Sequence, residues 1–489
     1  MRLTRKKTIQ ALLEQASEST LKRTLTATSL IALGIGALIG AGIFVRTAAA
    51  AAEGAGPSVV LSFIIAATGC AFAGLCYAEF AAMLPIAGSA YTYAYATMGE
   101  FVAWIIGWAL VLEYALGAAT LSIAWSEYLN NLLNGRIPYQ WCHSPMESLN
   151  GVHGIVNLPA LFILALLSLV LIKGTQESAN LNSIIVGIKV SIVLLIVALG
   201  WQFIHPNNYT PFMIPATVPG HEGFFAHGWG GVLKGAGIVF FAFIGFDAVS
   251  TAAQEAKNPA RDMPIGMLGS LAICTLLYVT FGHVLTGICN WQEFAIAGKE
   301  ASVAYAIQHY MPGYGWLATL VTVAILAGFS SVMLVMLLGQ SRVFFSMSTD
   351  GLLPKLFSDV HPKFRTPYKS NIVLYFFVGA FGGFIPGSLA GDLTSIGTLF
   401  AFTLVCVGVW LLRRAEPNRA RPFRTPLVPL VPILGMLVCG AMIISLDTRT
   451  QVTAFGWMLI GLVVYFSYSR FHSKLNTSED QLKPVPAAK

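Results

Sequence analysis

Apolar residues in this chain come in long, nearly unbroken runs, and twelve of them approach the ~20 residues an α-helix needs to cross a bilayer. They lie at residues 27–49, 57–84, 100–128, 158–172, 180–203, 229–251, 264–289, 314–345, 371–386, 392–412, 429–446 and 452–468. This pattern predicts an all-α integral membrane protein with twelve transmembrane helices. Two runs are interrupted. The first contains Gly34 to Val45, GIGALIGAGIFV, and the sixth contains Phe240 to Ser250, FFAFIGFDAVS. Gly40, Ala41 and Gly42 make a poor helix interior, so one reading is two half-helices with an unwound joint, and the other is glycines that only permit close helix packing. Unwound backbone in hydrocarbon needs protein, water or a solute to satisfy it. A break at mid-depth therefore points to a binding site.

The order of the runs adds direction. Five spans separate the start of the first broken run from the start of the second, so the two run in opposite senses. Residues 27–203 and 229–412 are of similar length, which fits a 5+5 inverted repeat with discontinuous helices 1 and 6. Residues 429–468 supply two extra helices, and 1–26 and 472–489 are tails. The first tail carries Ile9, Leu12, Leu13 and Leu21 on a basic background, which suits a surface-lying amphipathic helix, and it lacks the apolar core of a cleavable signal.

Composition agrees: 56% of the 489 residues are hydrophobic and 10% charged, with mean hydropathy +0.71, against roughly 25% charged in soluble domains. If both termini are cytoplasmic, 23 of the 29 basic residues face inward, and only Arg136, Lys299 and Arg449 face outward. The net charge of +7 is thus a matter of topology and calls for no nucleic acid. Of the seven cysteines, Cys142 and Cys289 alone lie near the outer face, where a disulfide between them is left open by spacing. The external histidines His143, His153, His205, His221 and His227 match no metal motif, and neither a metal nor a cofactor is expected.

Apart from Arg342 near the cytoplasmic end of span eight, three basic residues lie inside spans: Arg46, Lys189 and Lys234. Lys189 is about nine residues into span five, or ~14 Å, where an unpaired ammonium costs about 2.5–3.5 kcal/mol. It either snorkels to the inner surface or does chemistry, and proton coupling through contact with the inner half of span one is the functional reading. Glu113, ~20 Å into span three, is expected to tune Lys189 or line the pocket. Asp247 is read as the N-cap of the second half-helix of span six, with a proton carrier as the alternative. A half-helix pair offers free N–H groups at one end and free carbonyls at the other. A zwitterion fits that arrangement, its carboxylate on the N–H groups of Gly40, Ala41 and Gly42 and its ammonium on the carbonyls of Leu38 and Phe241. Ile39, Ala242 and Phe243 complete the expected cradle.

The motifs GIGALIGAGIFV, PIAGSAYTYAY, GFDAVSTAAQEAKNPARDMPIGM, GQSRVFFSMSTDGLLP and SIGTLFAF together resemble the amino acid-polyamine-organocation superfamily. Within it, the chain resembles bacterial members of the cationic amino acid transporter subfamily over nearly its whole length. The resemblance implies alternating access and secondary active transport of an amino acid across a bacterial inner membrane. It implies a span-five lysine where sodium-coupled relatives bind an ion, which matches Lys189. It also implies that Tyr278, Met336 and Glu113 lie near the pocket. The chain departs from the family in having twelve spans where mammalian members have fourteen, and in Arg46 and Lys234. Two cations above the pocket would disfavour a cationic solute. The expectation is therefore a proton-coupled symporter for a neutral L-amino acid, not an enzyme. A cationic amino acid carrier, an exchanger, and a substrate-gated channel or sensor stay open. Amino acid, proton and bilayer are the expected partners, and a small accessory membrane subunit is left open.

Overall fold

A computed structural model of the protein describes residues 5–7, 24–84, 89–174, 179–295, 302–364 and 366–475. The surface helix expected around Ile9 to Leu21, and the tail after residue 475, lie outside these. The described chain is built of helices: α1 (Ala27–Leu38), α2 (residues 42–55), α3 (Val59–Met83), α4 (Ser89–Thr97), α5 (Glu100–Leu132), α6 (Leu158–Lys173), α7 (Ala179–Gly200) and α8 (Gly228–Val239). They continue as α9 (Ala248–Thr251), α10 (Pro259–Ile288), α11 (Ser302–Tyr310), α12 (Gly315–Thr349), α13 (Tyr368–Phe384), α14 (Gly387–Ala415), α15 (Leu430–Ser445) and α16 (Thr448–His472). Among the described residues, seven helical stretches are long and apolar enough to cross a membrane, with shorter apolar helices between them. A two-residue hairpin pair, Ser148–Leu149 with Val152–His153, is confined to the loop before α6.

Both glycine-rich runs are broken. After Leu38 the backbone turns extended at Ile39 (φ −76°, ψ 97°), and helix resumes at Ala41. In the second run α8 tightens into a 3₁₀ turn, Phe240–Phe243, then Ile244 is extended and Gly245 takes φ +109°, a conformation natural only to glycine. The two breaks cross each other in opposite directions. A Cβ on Gly42 would lie 2.1 Å from the Ala242 Cα, and one on Gly245 would lie 3.2 Å from the Ala37 Cβ and carbonyl oxygen. All residues from 34 to 52 and from 240 to 247 are buried. Gly42 is therefore glycine because the partner backbone occupies its side-chain space.

The rest of the fold holds this crossing. α10 packs along α1, where Gly266 faces Leu30 and Ser270 faces Gly34. α5 passes close to α14 because Gly397 of the SIGTLFAF motif leaves space for Leu112. The tyrosines of the PIAGSAYTYAY motif, Tyr91, Tyr93 and Tyr95, are buried on α4. Tyr91 donates to Asp350 (2.7 Å) and Tyr95 to Glu100 (3.0 Å). The disulfide left open by spacing does not form, since all seven cysteines are free. Cys142 Sγ turns inward to Asn130 Nδ2 (3.5 Å), and Cys289 Sγ faces the Asn290 carbonyl.

Candidate functional site

Lys189 reaches the first break. Its Nζ donates to the Gly36 carbonyl (3.0 Å), one of the last carbonyls of α1, which has no intrahelical donor to satisfy it. The residue is buried, so the ammonium does not snorkel to the surface. Room for its stem comes from Gly328 on α12, where a Cβ would meet Lys189 Cε at 3.2 Å. Beside it lies a small cavity of about 10 Å³, room for about one water molecule, lined by Ile39, Gly40, Phe44, Lys189, Ile325 and Phe329 among others.

The backbone next to the breaks is held by side chains from three directions. Tyr278 donates to the Ala242 carbonyl (3.0 Å), with its ring against Phe243 and Phe63. Tyr128 (3.2 Å) and Ser302 (3.4 Å) donate to the Phe44 carbonyl. The Phe241 carbonyl accepts from Ile244 N–H (3.3 Å), so one lone pair of the expected ammonium ligand is already engaged. The N–H groups at the start of α2 have no intrahelical acceptors and carry the positive end of the helix dipole. Val332 and Leu121 form an apolar wall 3.4–3.8 Å from where a Gly40 Cβ would stand.

Glu113 lies beside the second break. It is fully buried in a π-turn of α5 (Leu112–Leu116) beside Asp247 and Thr398. Leu121, the α5 residue that meets Gly40, lies ~12 Å further along the helix axis. Glu113 and Asp247 thus form one acidic neighbourhood, in which Tyr114 donates to Asp247 (3.4 Å). Asp247 holds the N-cap position of α9, but its backbone is already helical (φ −70°, ψ −23°) and its side chain makes no capping bond. The expected cap is not formed, because the carboxylate turns toward α5. Met336 packs its sulfur where a Cβ on Gly117 of α5 would stand, between Glu113 and Leu121.

The two cations expected to repel a cationic solute are both neutralised. Arg46 forms a buried ion pair with Asp392 at the start of α14, and Gly391 leaves room for the guanidinium. Lys234 pairs with Asp447 (2.8 Å) and Glu53 (3.7 Å). The electrostatic argument against a cationic solute therefore falls. Asp392 was visible at the head of DLTSIGTLFAF, yet nothing in one sequence pairs it with Arg46, 346 residues away. Gly328 likewise gave no signal. At the opposite end, Lys7 pairs with Asp350 (2.5 Å), and Leu25 exchanges backbone bonds with Glu255 (2.9 Å) and Lys257 (2.8 Å).

A helical membrane protein in which two discontinuous helices cross around an enclosed site, with a lysine bonded to one of the breaks, is a solute carrier in its architecture. Comparison with known proteins fixes the family: residues 25–468 match the family model described as amino acid permease, and the chain belongs to that family. It is 44% identical to the branched-chain amino acid permease BcaP of Bacillus subtilis (strain 168), over 96% of this chain and 98% of the relative. It is 40% identical to the methylthioribose transporter of the same organism, over 97% and 99% of the two chains. A BcaP of Lactococcus lactis subsp. cremoris (strain MG1363) is 33% identical over 92% and 95%. These relatives are named as permeases and transporters, and this chain is an amino acid permease, not an enzyme.

Proposed function

We propose that this permease imports a neutral L-amino acid together with a proton by alternating access. Twelve membrane-spanning segments are arranged as inverted repeats 27–203 and 229–412 plus the 429–468 pair, with both termini cytoplasmic in a bacterial inner membrane. The observation that carries the reading is the bond from Lys189 to the Gly36 carbonyl at the edge of two crossed helix breaks. A protonated Lys189 ties α7 to the inner half of the first broken helix, and loss of the proton weakens that tie. The amino acid's carboxylate is received by the N–H groups of Gly40, Ala41 and Gly42, and its ammonium by carbonyls at the ends of α1 and the α8 turn. Its side chain is directed to the apolar wall of Val332, Leu121 and Met336. The names of the two BcaP relatives favour a branched aliphatic side chain.

Gating follows from the ion pairs. Arg46 with Asp392, and Lys234 with Glu53 and Asp447, clamp the outer ends of the broken helices to α14 and the outer loops. Lys7 with Asp350, and the Leu25 backbone pairing, clamp the inner ends. With both sets made and both breaks buried, the conformation corresponds to an occluded state. Glu113 and Asp247 provide a second protonatable pair on the far side of the crossing.

Uptake of radiolabelled L-leucine into liposomes with an inside-alkaline pH gradient tests this. Saturable, gradient-driven uptake that is lost in Lys189→Gln is the expected result. Intact gradient-driven uptake in Lys189→Gln removes the coupling role, and passive, unsaturable flux favours a channel. A second reading, transport of an uncharged thiosugar, is favoured by the methylthioribose transporter relative. Inhibition of labelled leucine uptake by methylthioribose, but not by other branched-chain amino acids, would select it.

A further inference from the structure

The last turn of α14 and the loop that follows it, residues 413–426, contain five arginines in twelve positions from Arg413 to Arg424, and the structure sorts them into two kinds. Glu79, buried near the end of α3, organises the first kind. Arg413 grips it with two bonds (2.9 and 2.8 Å), Arg421 Nε lies 3.1 Å from it, and Thr425 N–H donates to it (2.8 Å). Arg421 also donates to the carbonyls of Leu412 (3.3 Å) and Glu416 (2.8 Å), closing the C-terminus of α14, which is the favoured place for a cation. Burial, with Glu79 pulling the other way and the guanidiniums of Arg413, Arg424 and Arg419 nearby, holds Arg421 below the usual arginine range. Arg419 is paired with Glu416 (2.5 Å).

The second kind is Arg414 and Arg424. Both are exposed, and among the described residues neither has a carboxylate partner. The Arg414 guanidinium lies over the Trp410 ring, 4.7 Å from its centroid. Leucines close to them in the chain are exposed as well: Leu411, one turn before Arg414 on α14, is 46%, Leu427 72% and Leu430 51% exposed. Guanidiniums without counter-charge beside bare leucines, at the end of a membrane-crossing helix, match a molecule with an anionic head and hydrocarbon tails. Clusters of four to eight Lys or Arg next to a membrane helix recruit anionic lipid.

We infer that Arg414 and Arg424 form a binding site for the phosphate head group of an anionic phospholipid, whose acyl chains lie on Leu411, Leu427 and Leu430. The inference rests on α14 and α15 being membrane-crossing helices, and needs neither the transport direction nor the substrate. Glu79 anchors the chain on both sides of this stretch through Arg413, Arg421 and Thr425, so the two exposed arginines stand on a tethered loop rather than a flexible tail. At about 1 kcal/mol per cation near the surface, removing both weakens lipid binding roughly 30-fold.

The test uses the purified full-length protein in a neutral detergent, titrated with phosphatidylglycerol or with phosphatidylcholine of the same acyl chains. Thermal melting and native mass spectrometry are the readouts. Phosphatidylglycerol is expected to raise the melting temperature and appear as retained adducts, while phosphatidylcholine and inorganic phosphate do neither. In Arg414→Gln/Arg424→Gln the half-saturating lipid concentration is expected to rise roughly 30-fold. The control Arg449→Gln, an exposed cation in the first turn of α16, should behave as wild type. An undiminished phosphatidylglycerol effect in the double variant overturns the site, and an equal effect of inorganic phosphate overturns the lipid assignment. A leucine-induced melting shift, measured in the same samples, reports on the transport reading separately.

Discussion

Replacing Gly42 by alanine adds one methyl group at the tightest point of the crossing. Its Cβ would stand 2.1 Å from the Ala242 Cα, 2.5 Å from the Ala242 Cβ and 2.6 Å from the Ala242 nitrogen. Carbon atoms pack at about 3.5–4.0 Å, so the two broken helices must separate by roughly 1.4 Å or more at this point. Overpacking of this kind costs about 1–3 kcal/mol, and displacement of a positioned group by ~1 Å is worth about 100-fold in rate where geometry controls the step. Gly42→Ala is therefore expected to lower initial leucine uptake in liposomes by about two orders of magnitude. The companion Ala242→Gly should not rescue it, because the nearest atom is the Cα that glycine keeps. Gly40→Ala is the contrast, since its nearest neighbours, Val332 at 3.4 Å and Leu121 at 3.8 Å, are in ordinary contact. That variant should melt like wild type and weaken leucine binding only by crowding the cavity. Uptake by Gly42→Ala within twofold of wild type would refute the apposition of the two breaks.

Other consequences can be checked in parallel. Arg46→Gln or Asp392→Asn leaves a buried charge unpaired and should cost about 3–5 kcal/mol, whereas Arg46→Met/Asp392→Leu should regain most of it; melting curves decide. The same single variants should expose a cysteine placed at residue 41 to a membrane-impermeant thiol reagent from outside, as expected if this pair closes the outer path. In the loop before α6, His143 Nε2 is 2.7 Å from Glu127. Burial there disfavours the imidazolium, but hydrogen bonds to Cys142 and Glu127 and the Glu127 charge outweigh it and push the His143 pKa up to about 10. A folded pKa above the unfolded value gives stabilisation that is complete below about pH 6.5 and lost as pH rises through about 10. Glu127→Gln should therefore melt below wild type at pH 7 and converge with it above pH 10; a gap that persists at pH 11 would rule out the ion pair as its cause.

Much of the architecture was readable because it is written locally. Length and apolarity of the runs mark the membrane helices, and Gly40, Gly42 and Gly245 mark where they break. Lys189 could be singled out because an ammonium at that depth needs a reason, and the reason offered, a carbonyl of the first half-helix, is what it contacts. Pairings across hundreds of residues were not readable. Arg46 and Lys234 looked like bare cations because Asp392 and Asp447 approach them only in the folded chain. Glu113 and Asp247 were assigned to separate tasks, a pocket acid and a cap, because their adjacency depends on how α5 passes the second break. The burial of Tyr91 and Tyr95 was not readable either: nothing local distinguishes an interfacial tyrosine from one buried against Asp350 or Glu100.

The central claim is that backbone groups at two crossed breaks receive both charged ends of one amino acid. Its most direct test is the binding of L-leucine to the purified protein beside 3-methylbutylamine, which lacks the carboxylate, and 4-methylpentanoate, which lacks the ammonium. The account predicts that leucine alone raises the melting temperature, with neither analogue doing so at 100 times the leucine concentration that gives half the effect. Equal stabilisation by either analogue would show that the corresponding end of the cradle is not used, and would contradict it.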